Sequence, residues 1–436
     1  RAAFSDRSSA AVSVEAMQIF GRTNRRRALR LVGYGVAAGG VAQVVTASAV
    51  VLVDEVRKRR ATPPAGYPSA PPGTVEVAGN AVTTYTNGED LYDDMISAID
   101  AAKESVYFEF FIWKKDAVGQ RFKDALIAAA KRGVQVYVIY DGFANLVVDP
   151  RFYRFPAYLR GIHLLRFPVI RLGMFRLDLR DLGRDHRKIV VVDGEVGFVG
   201  GYNIGHLYAT EWRDTHLRVR GAAVWELADA FCDFWNEYRR SHQPELPDGG
   251  AKEWEPRILA ARNAPSRMLF PVRGLYLDAI ERATTRIYIT QGYFIPDNEI
   301  LTGLLKAANR GVDVRVIVPE YSNHIIADWV ARAYYSELLA GGVTIWLYKD
   351  AMVHAKTATV DGRWSTVGTA NIDRLSMTGN YEVNLALYSD EMAAKMEAIF
   401  EMDLGNCREL TLDEWNRRGR LPRVAERLLA PLHPLM

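Results

Sequence analysis

This 436-residue chain has few cysteines, no evident cluster of metal ligands and little excess of either charge. Its two cysteines, Cys232 and Cys407, stand alone, so they indicate neither a disulfide framework nor a zinc site. Histidines and carboxylates are not spaced as zinc or magnesium ligands. The formal net charge of +3 is too small to indicate a nucleic-acid-binding protein. The sequence therefore predicts a globular protein without a metal, a cofactor or a nucleic-acid partner.

Long apolar runs are also scarce, and the one that stands out is residues 31–53, which carry no charge. At about 1.5 Å per residue this run spans a bilayer core of about 30 Å, so we expect a single transmembrane helix after a basic segment, residues 1–30. Arginines flank the run on both sides, and they do not decide its orientation. Two alternatives stay open: a twin-arginine export signal cleaved near Ala47-Ser48-Ala49, and an organelle transit peptide.

One pattern, H-x-K-x-x-x-x-D, occurs twice in the chain. Its residues are His186, Lys188 and Asp193 in the first copy and His354, Lys356 and Asp361 in the second. Both copies continue with the same residue types at offsets of 14, 17 and 28 from the histidine. These are Gly200 and Gly368, Asn203 and Asn371, and the carboxylates Asp214 and Glu382. Agreement at so many offsets indicates an internal duplication.

The periodicity around the two copies predicts the same order of elements in each half. In the first half, residues 90–103 and 120–131 have the spacing of helices, and residues 106–113 and 133–140 that of buried strands. Residues 287–295, 299–309 and 311–319 repeat a strand, a helix and a strand. Such βαβ units predict an α/β fold of two pseudo-symmetric α/β/α halves with mixed β-sheets. We expect a Pro/Gly-rich linker at 54–80, halves at 81–245 and 267–405, an inter-domain linker at 246–266, and a tail at 406–436 that packs on the catalytic unit.

The paired residues suit chemistry at a phosphodiester. Negative charge builds up on the phosphate oxygens as a nucleophile adds to phosphorus. We expect two lysines and two asparagine amides to bind these oxygens, namely Lys188, Lys356, Asn203 and Asn371. One imidazole can attack phosphorus to form a phosphohistidine, and the other can protonate the leaving alkoxide and then deprotonate the incoming alcohol. Asp214 and Glu382 are expected to fix the tautomers of the histidines. Asp193 and Asp361 complete the motif, but their place at hairpin turns indicates bracing.

Residues 151–187, upstream of the first motif, interleave nine arginines with phenylalanines and leucines. This composition is typical of an interfacial segment that draws anionic lipid headgroups toward a site. An ordinary solvated loop and a nucleic-acid patch are the alternatives.

At the two motifs the sequence resembles the phospholipase D superfamily, over about residues 80–436. Finer matches resemble the bacterial cardiolipin synthases, and they include residues 184–189, 211–214, 293–296 and 380–384. The resemblance implies two phospholipase D-like domains whose motifs meet at one site, with His186 as nucleophile and His354 as general acid and base. Thr369 departs from the family pattern, in which serine is usual.

The resemblance also implies an activity. Two phosphatidylglycerols would be joined into cardiolipin with release of glycerol. The protein would act at the cell membrane, to which a single transmembrane helix would anchor it, and a homodimer is a possible assembly. Three alternatives remain: a hydrolytic phospholipase D that releases phosphatidic acid, a phosphodiesterase or nuclease, and a lipid-binding scaffold with an inactive site.

Overall fold

The computed structural model describes residues 45–46, 48–50, 52–53, 66–171, 181, 183–247, 256–429 and 431. The described residues from 66 to 418 form one compact unit, and those of 45–53 belong with 419–429 and 431 to a second. The predicted basic segment 1–30 lies outside the described residues, as do most of the predicted membrane helix 31–53 and linker residues 54–65. In the parts of the chain that the structure describes, no helix is both long and apolar enough to cross a bilayer.

The first half contains nine strands and four helices within the described residues. In chain order they are β1 (Gly73–Val77), β2 (Asn80–Tyr85), α1 (Gly88–Ala101), β3 (Ser105–Phe110), α2 (Ala117–Lys131), β4 (Gln135–Asp141), β5 (Ile162–Phe167), β6 (Lys188–Val192), β7 (Val196–Gly200), α3 (His206–Thr210), β8 (Trp212–Arg213), β9 (His216–Arg220) and α4 (Val224–Tyr238). A short 3-10 helix, Pro150–Tyr153, lies between β4 and β5.

The second half and the tail continue the numbering. The elements are β10 (Ile258–Asn263), a 3-10 helix (Pro265–Arg267), α5 (Pro271–Arg282), β11 (Arg286–Gln291), α6 (Asn298–Asn309), β12 (Asp313–Pro319), α7 (Ile325–Ala340), β13 (Thr344–Tyr348), β14 (Met352–Val353), β15 (Lys356–Val360), β16 (Trp364–Gly368), α8 (Arg374–Thr378), β17 (Glu382–Tyr388), α9 (Asp390–Leu404), β18 (Cys407–Leu410), α10 (Leu412–Arg417) and α11 (Arg420–Leu429).

Each half is built on one mixed sheet of eight strands, and the two sheets have corresponding orders. The first runs β1-β2-β9-β7-β6-β3-β4-β5 and the second β10-β17-β16-β15-β11-β12-β13-β18. Strands β3, β4 and β5 are parallel, as are β11, β12 and β13. Motif strands β6 and β15 each lie antiparallel beside the first strand of the parallel set, which is β3 for β6 and β11 for β15. The predicted α/β fold with two halves and mixed sheets is confirmed.

Local sequence explains where these elements begin. The side chain of Asn87 accepts hydrogen bonds from the Glu89 and Asp90 amides and caps α1, whose residues Leu91, Met95 and Ile99 are buried. Asp297 caps α6 in the corresponding place of the second half.

One apolar core joins the halves. It combines Ile189 and Val191 of β6 with residues of β16, β17 and α9 in the second half, which are Val367, Val383, Leu385, Leu387, Met392, Met396 and Ile399.

Three predicted boundaries need correction. Residues 246–266, predicted as a linker, contain β10, which pairs with β17 and forms an edge of the second sheet. Predicted linker 54–80 likewise contains β1, which pairs with β2. Both strands are short edge strands near Pro- and Gly-rich sequence, so composition hid them. The strand predicted at 106–113 ends at Phe110.

In the tail, β18 joins β13, and Trp415 of α10 donates a hydrogen bond to Ser336 of α7 at 2.8 Å.

A buried ion pair joins the halves next to the second motif. Arg213 of β8 and Asp403 of α9 are almost fully inaccessible to solvent. The guanidinium donates Nε to Oδ1 at 2.9 Å and Nη2 to Oδ2 at 2.8 Å. The carbonyl of Arg213 accepts a hydrogen bond from the His354 amide at 2.7 Å. The ion pair therefore fixes the backbone on which His354 stands.

Replacing Asp403 tests the contribution of this ion pair to stability. We expect Asp403→Leu to lower the free energy of unfolding by about 3–5 kcal/mol, because the Arg213 charge would stay buried without its partner. Urea unfolding followed by tryptophan fluorescence measures this change. Combining Arg213→Met with Asp403→Leu should restore most of the loss. A double variant as unstable as Asp403→Leu would contradict the expectation.

Candidate active site

Each motif histidine is bound to a carboxylate that the other half of the chain supplies. His186, just before β6, has its Nδ1 at 2.9 and 3.0 Å from the two carboxylate oxygens of Glu382 at the start of β17. His354, just before β15, has its Nδ1 at 2.6 Å from Oδ2 of Asp214, between β8 and β9. The sequence singled out both carboxylates. It did not reveal this crossed pairing, because equal offsets do not say which histidine each carboxylate meets.

Backbone contacts repeat the crossed pairing. The His186 amide donates to the carbonyl of Tyr381 at 3.1 Å, and the His354 amide donates to that of Arg213 at 2.7 Å. Each acceptor is the residue directly before the carboxylate that binds the same histidine. Strand β8 also pairs with β14 in parallel, and a bridge joins Asp185 to Tyr381. Both motifs are thus held at one junction between the halves.

Aromatic rings enclose the two imidazoles, and both imidazoles are nearly buried. Phe111 packs edge-on against His186 with ring centroids 4.7 Å apart, and Trp212 lies 5.0 Å from His354. Burial lowers the pKa of His186, although Glu382 opposes that shift. Burial, together with the Lys356 charge, lowers the pKa of His354 to about 3. Both rings are therefore neutral near pH 7, with Nδ1–H donated to the carboxylate and the lone pair on Nε2.

The motif lysines, Lys188 and Lys356, are fully buried beside the histidines. The ammonium of each donates to the carbonyl of the histidine two residues before it. The Lys356 ammonium also lies 2.8 Å from Nδ1 of His354, but the single hydrogen on that nitrogen points to Asp214, so this contact is a close approach. Burial lowers the pKa of Lys188 to about 7 and that of Lys356 to about 8.

The two carboxylates are held in different ways. Burial would raise the pKa of Asp214, but Lys356 and His354 outweigh it and keep the pKa below its usual value. Glu382 accepts a hydrogen bond from the Thr369 hydroxyl at 2.5 Å. Gly201 stands at the corresponding position of the first half, where a Cβ would lie 2.0 Å from Oδ1 of Asp214. The longer Glu382 is thus paired with a hydroxyl, and the shorter Asp214 with a glycine.

The two asparagines lie at the ends of the hairpins that begin with the motif strands. Asn203 accepts a hydrogen bond from the Ile112 amide at 3.1 Å on its side-chain oxygen, which directs its NH2 group the other way. The side-chain oxygen of Asn371 is buried without a hydrogen-bond partner within the described residues. The side chain of Asn371 is also hydrogen-bonded to Asp373, which fits its NH2 group facing that carboxylate, so this amide would have to turn before it could donate to a phosphate oxygen.

The motif aspartates stand apart from this junction, at the far ends of β6 and β15. Asp193 follows Lys188 by five strand positions, roughly 16 Å. It accepts hydrogen bonds from the Lys103, Glu104 and Ser105 amides at 2.9, 2.8 and 2.9 Å. Asp361 accepts from the amides of residues 284–286 in the same way. Asp193 thus braces the loop before β3, and Asp361 braces the loop before β11.

His216 is a buried residue near the site that the duplicated pattern does not include. Both of its ring nitrogens lack partners within the described residues, and burial lowers its pKa to about 3. Its counterpart in the second half is Asn384, and a Cβ on the neighbouring glycine would collide with either residue. Across the described residues, no group of three histidine, cysteine or carboxylate side chains is placed to hold a metal.

Comparisons with known proteins place the chain in a family. A family model described as "Cardiolipin synthase, PLD-like domain" matches residues 95–235 and 276–404. The chain is 34% identical over 367 residues to the major cardiolipin synthase ClsA of Bacillus subtilis, which covers 81% of this chain and 75% of that protein. It is 31% identical over 380 residues to a cardiolipin synthase of Clostridium perfringens, covering 82% and 77%.

Among solved structures, phosphatidylserine synthase from Haemophilus influenzae superposes with a TM-score of 0.61 at 15% identity. The match covers 81% of this chain and 93% of that one, and it shows a shared fold. The duplicated fold and the crossed histidine site define an enzyme of the phospholipase D type. Together with the family model and the curated relatives, they show that the chain belongs to the cardiolipin synthase family of the phospholipase D superfamily.

Gly201 provides a test of how Asp214 is positioned. We expect Gly201→Ala to lower turnover by about 10²–10⁴-fold, because the added Cβ would push away the carboxylate that orients His354. Gly274→Ala in α5 is the matched control, since a Cβ there meets nothing within 4 Å. Initial rates on phospholipid vesicles and circular dichroism measure both variants. A Gly201→Ala protein with the turnover of the parent would show that the carboxylate position is unimportant.

Proposed function

We propose that the protein joins two phosphatidylglycerols into cardiolipin and releases glycerol, through a phosphohistidine on His186. The observation that carries the proposal is the crossed pair of imidazoles, each hydrogen-bonded at Nδ1 to a carboxylate of the other half. This arrangement leaves two reactive Nε2 atoms at one junction. Such a pair suits a double displacement at phosphorus, in which one ring is the nucleophile and the other carries the proton.

In the first step, Nε2 of His186 attacks the phosphorus of one phosphatidylglycerol, and the bond from phosphorus to the glycerol oxygen breaks. His354 gives a proton from Nε2 to the leaving alkoxide. It must therefore be protonated before this step, although its pKa is about 3 in the free site. The negative charge of a bound phosphodiester has the sign that raises this pKa, and Asp214 stabilises the resulting imidazolium.

In the second step, His354 takes the proton of a hydroxyl group on the second phosphatidylglycerol. The alkoxide oxygen attacks phosphorus, and the bond to His186 breaks with its electron pair returning to Nε2. The balance is two phosphatidylglycerols in, one cardiolipin and one glycerol out, with no water consumed. Lys188, Lys356, Asn203 and Asn371 are proposed to bind the phosphate oxygens as charge develops on them.

Location and assembly are proposed from the sequence. We propose that residues 31–53 form a single-pass anchor in the cell membrane, because the run is long enough to span it and the substrate is a membrane lipid. Gly35 and Gly39 would let two such helices approach closely, so a homodimer is proposed as well.

Product analysis tests the reaction. Purified protein incubated with phosphatidylglycerol vesicles should yield cardiolipin and glycerol in equal amounts by mass spectrometry. His186→Ala should form neither product, because no nucleophile remains. His354→Ala should retain the slow formation of an acid-labile, base-stable adduct on His186. Phosphatidic acid as the main product would instead indicate hydrolysis, and an adduct on His354 would reverse the two roles.

The lysine pKa values predict a pH dependence. A lysine is charged below its pKa, so Lys188 and Lys356 lose their charges in the free enzyme as pH rises through about 7 and about 8. Because kcat/KM reports groups of the free enzyme, it should fall over this range, while kcat should fall only at higher pH. Lys188→Met should remove the step near pH 7. Lys131→Met, an exposed position in α2, is the control and should leave the profile unchanged.

A further inference from the structure

The first half presents an exposed apolar surface that neither the core nor the proposed chemistry uses. In the turn after β4, the side chains of Phe143, Leu146 and Val147 are 54%, 56% and 85% exposed. Ile170, in the segment after β5, is 63% exposed. The Gly142 amide donates to the Phe167 carbonyl at 2.9 Å and holds the two segments together. We refer to Phe143, Leu146, Val147 and Ile170 as the apolar rim.

Polar side chains hold the turn of the apolar rim in one conformation. Oδ1 of Asp141 accepts from the amides of Phe143 and Ala144 at 2.7 and 2.9 Å. Asn145 accepts from the Trp113 amide at 3.0 Å and donates to the Asp141 carbonyl at 2.8 Å. The polar groups of the turn are thus directed inward, and the apolar side chains outward. A rigid turn that presents large apolar groups to solvent is typical of a binding surface.

The same polar groups connect the apolar rim to the proposed nucleophile. Asn145 also donates to the carbonyl of Phe111 at 2.8 Å, and the Phe111 ring packs against His186. Oδ2 of Asp141 accepts from the amide of Asp185, the residue before His186, at 3.3 Å. Because β4 and β5 are parallel, both of their carboxyl ends lie at the edge of the sheet where the His186 junction stands. The apolar rim therefore borders the site on the His186 side.

Cations accompany the apolar rim. The guanidinium of Arg184 lies 5.6 Å from the ring centroid of Phe143, and it donates to the carbonyls of Pro168 and Val169. Arg166 is exposed beside Gly142. Apolar side chains surrounded by arginines suit the boundary between acyl chains and anionic headgroups. Residues 172–180 and 182 of the predicted interfacial stretch lie outside the described residues.

The corresponding turn of the second half has a different composition. After β12, residues 320–323 are Glu320, Tyr321, Ser322 and Asn323, of which Tyr321 alone is a large exposed hydrophobic residue. Asn323 accepts a hydrogen bond from the Tyr293 hydroxyl. The duplication thus carries an apolar rim at the first half and a largely polar turn at the second.

We propose that the apolar rim inserts into the surface of an anionic phospholipid bilayer and delivers the donor lipid to His186. The proposal rests on the proposed function, since a donor lipid held in a bilayer must bring its phosphate to that histidine. An anionic bilayer matches both features of this surface, the apolar side chains and the adjacent arginines. A second copy of the chain is nearly neutral overall and would match only the apolar side chains.

The experiment compares two physical forms of one substrate. The test variant is Leu146→Glu with Val147→Glu in the full chain, and the control is Tyr158→Glu, which is 71% exposed and lies before β5, at the opposite end of the same strands. On dioleoyl-phosphatidylglycerol vesicles the test variant should lose about 10-fold or more in kcat/KM, since burying either side chain is worth about that factor. On dihexanoyl-phosphatidylglycerol below its critical micelle concentration, the loss should be under about twofold.

Equal losses on both forms, or equal losses in test and control variants, would overturn the proposal. A second measurement is independent of turnover. Both labelled proteins carry Cys407→Ser, which removes the partly exposed native thiol. An NBD fluorophore attached at Val147→Cys should brighten on phosphatidylglycerol vesicles, and one attached at Tyr158→Cys should not. Brightening that follows protein concentration without vesicles would indicate self-association instead. If the parent protein makes no cardiolipin from either form, the proposed function fails, while the fluorophore still decides whether the apolar rim enters a bilayer.

Discussion

The site depends on one constraint: each imidazole is oriented by a carboxylate from the other half of the chain. Glu382 binds His186 and Asp214 binds His354, so neither half holds a complete histidine–carboxylate pair by itself. The shared core beneath β6, β7, β16 and β17 is therefore part of the catalytic arrangement, because it sets the distance across which each pair forms. Bringing four charged or titratable groups out of water is costly, and the crossed hydrogen bonds offset that cost only while the halves stay together.

The charges of the site are balanced before a substrate arrives. Two buried lysines face two buried carboxylates, and burial lowers the pKa values of Lys188 and Lys356 to about 7 and about 8. A phosphodiester adds one negative charge, which favours protonation of both lysines and of His354 at the same time. In the proposed mechanism, substrate binding would thus raise the pKa of His354 so that the ring takes up from solvent the proton that the leaving alkoxide needs, and both imidazoles would be neutral in the empty site.

Much of this arrangement could be predicted from the sequence, because duplication repeats the reactive residues at equal offsets. His186, Lys188, Asp214 and their counterparts were found in this way. The crossed pairing could not be predicted, since it depends on how two sheets meet. The roles of Gly201 and Thr369 were also hidden: the space available to each carboxylate is a property of packing, and no periodicity reports it. Edge strand β10 was not predicted either, because its middle residues are only half-buried and give no alternating pattern.

Two of the departures from pseudo-symmetry distinguish the surroundings of His186. Its histidine is bound by a glutamate that takes a threonine hydroxyl, and its outer edge carries the apolar rim. The proposed double displacement requires two lipids to occupy one site in turn, and a symmetric site would offer each the same approach. An apolar rim on one side alone gives a reason for the nucleophile to be the histidine beside it, because the first lipid to enter would come from that side. The polar turn of the second half then suits an acceptor lipid that must present its headgroup hydroxyl, rather than its phosphate, to the proposed base.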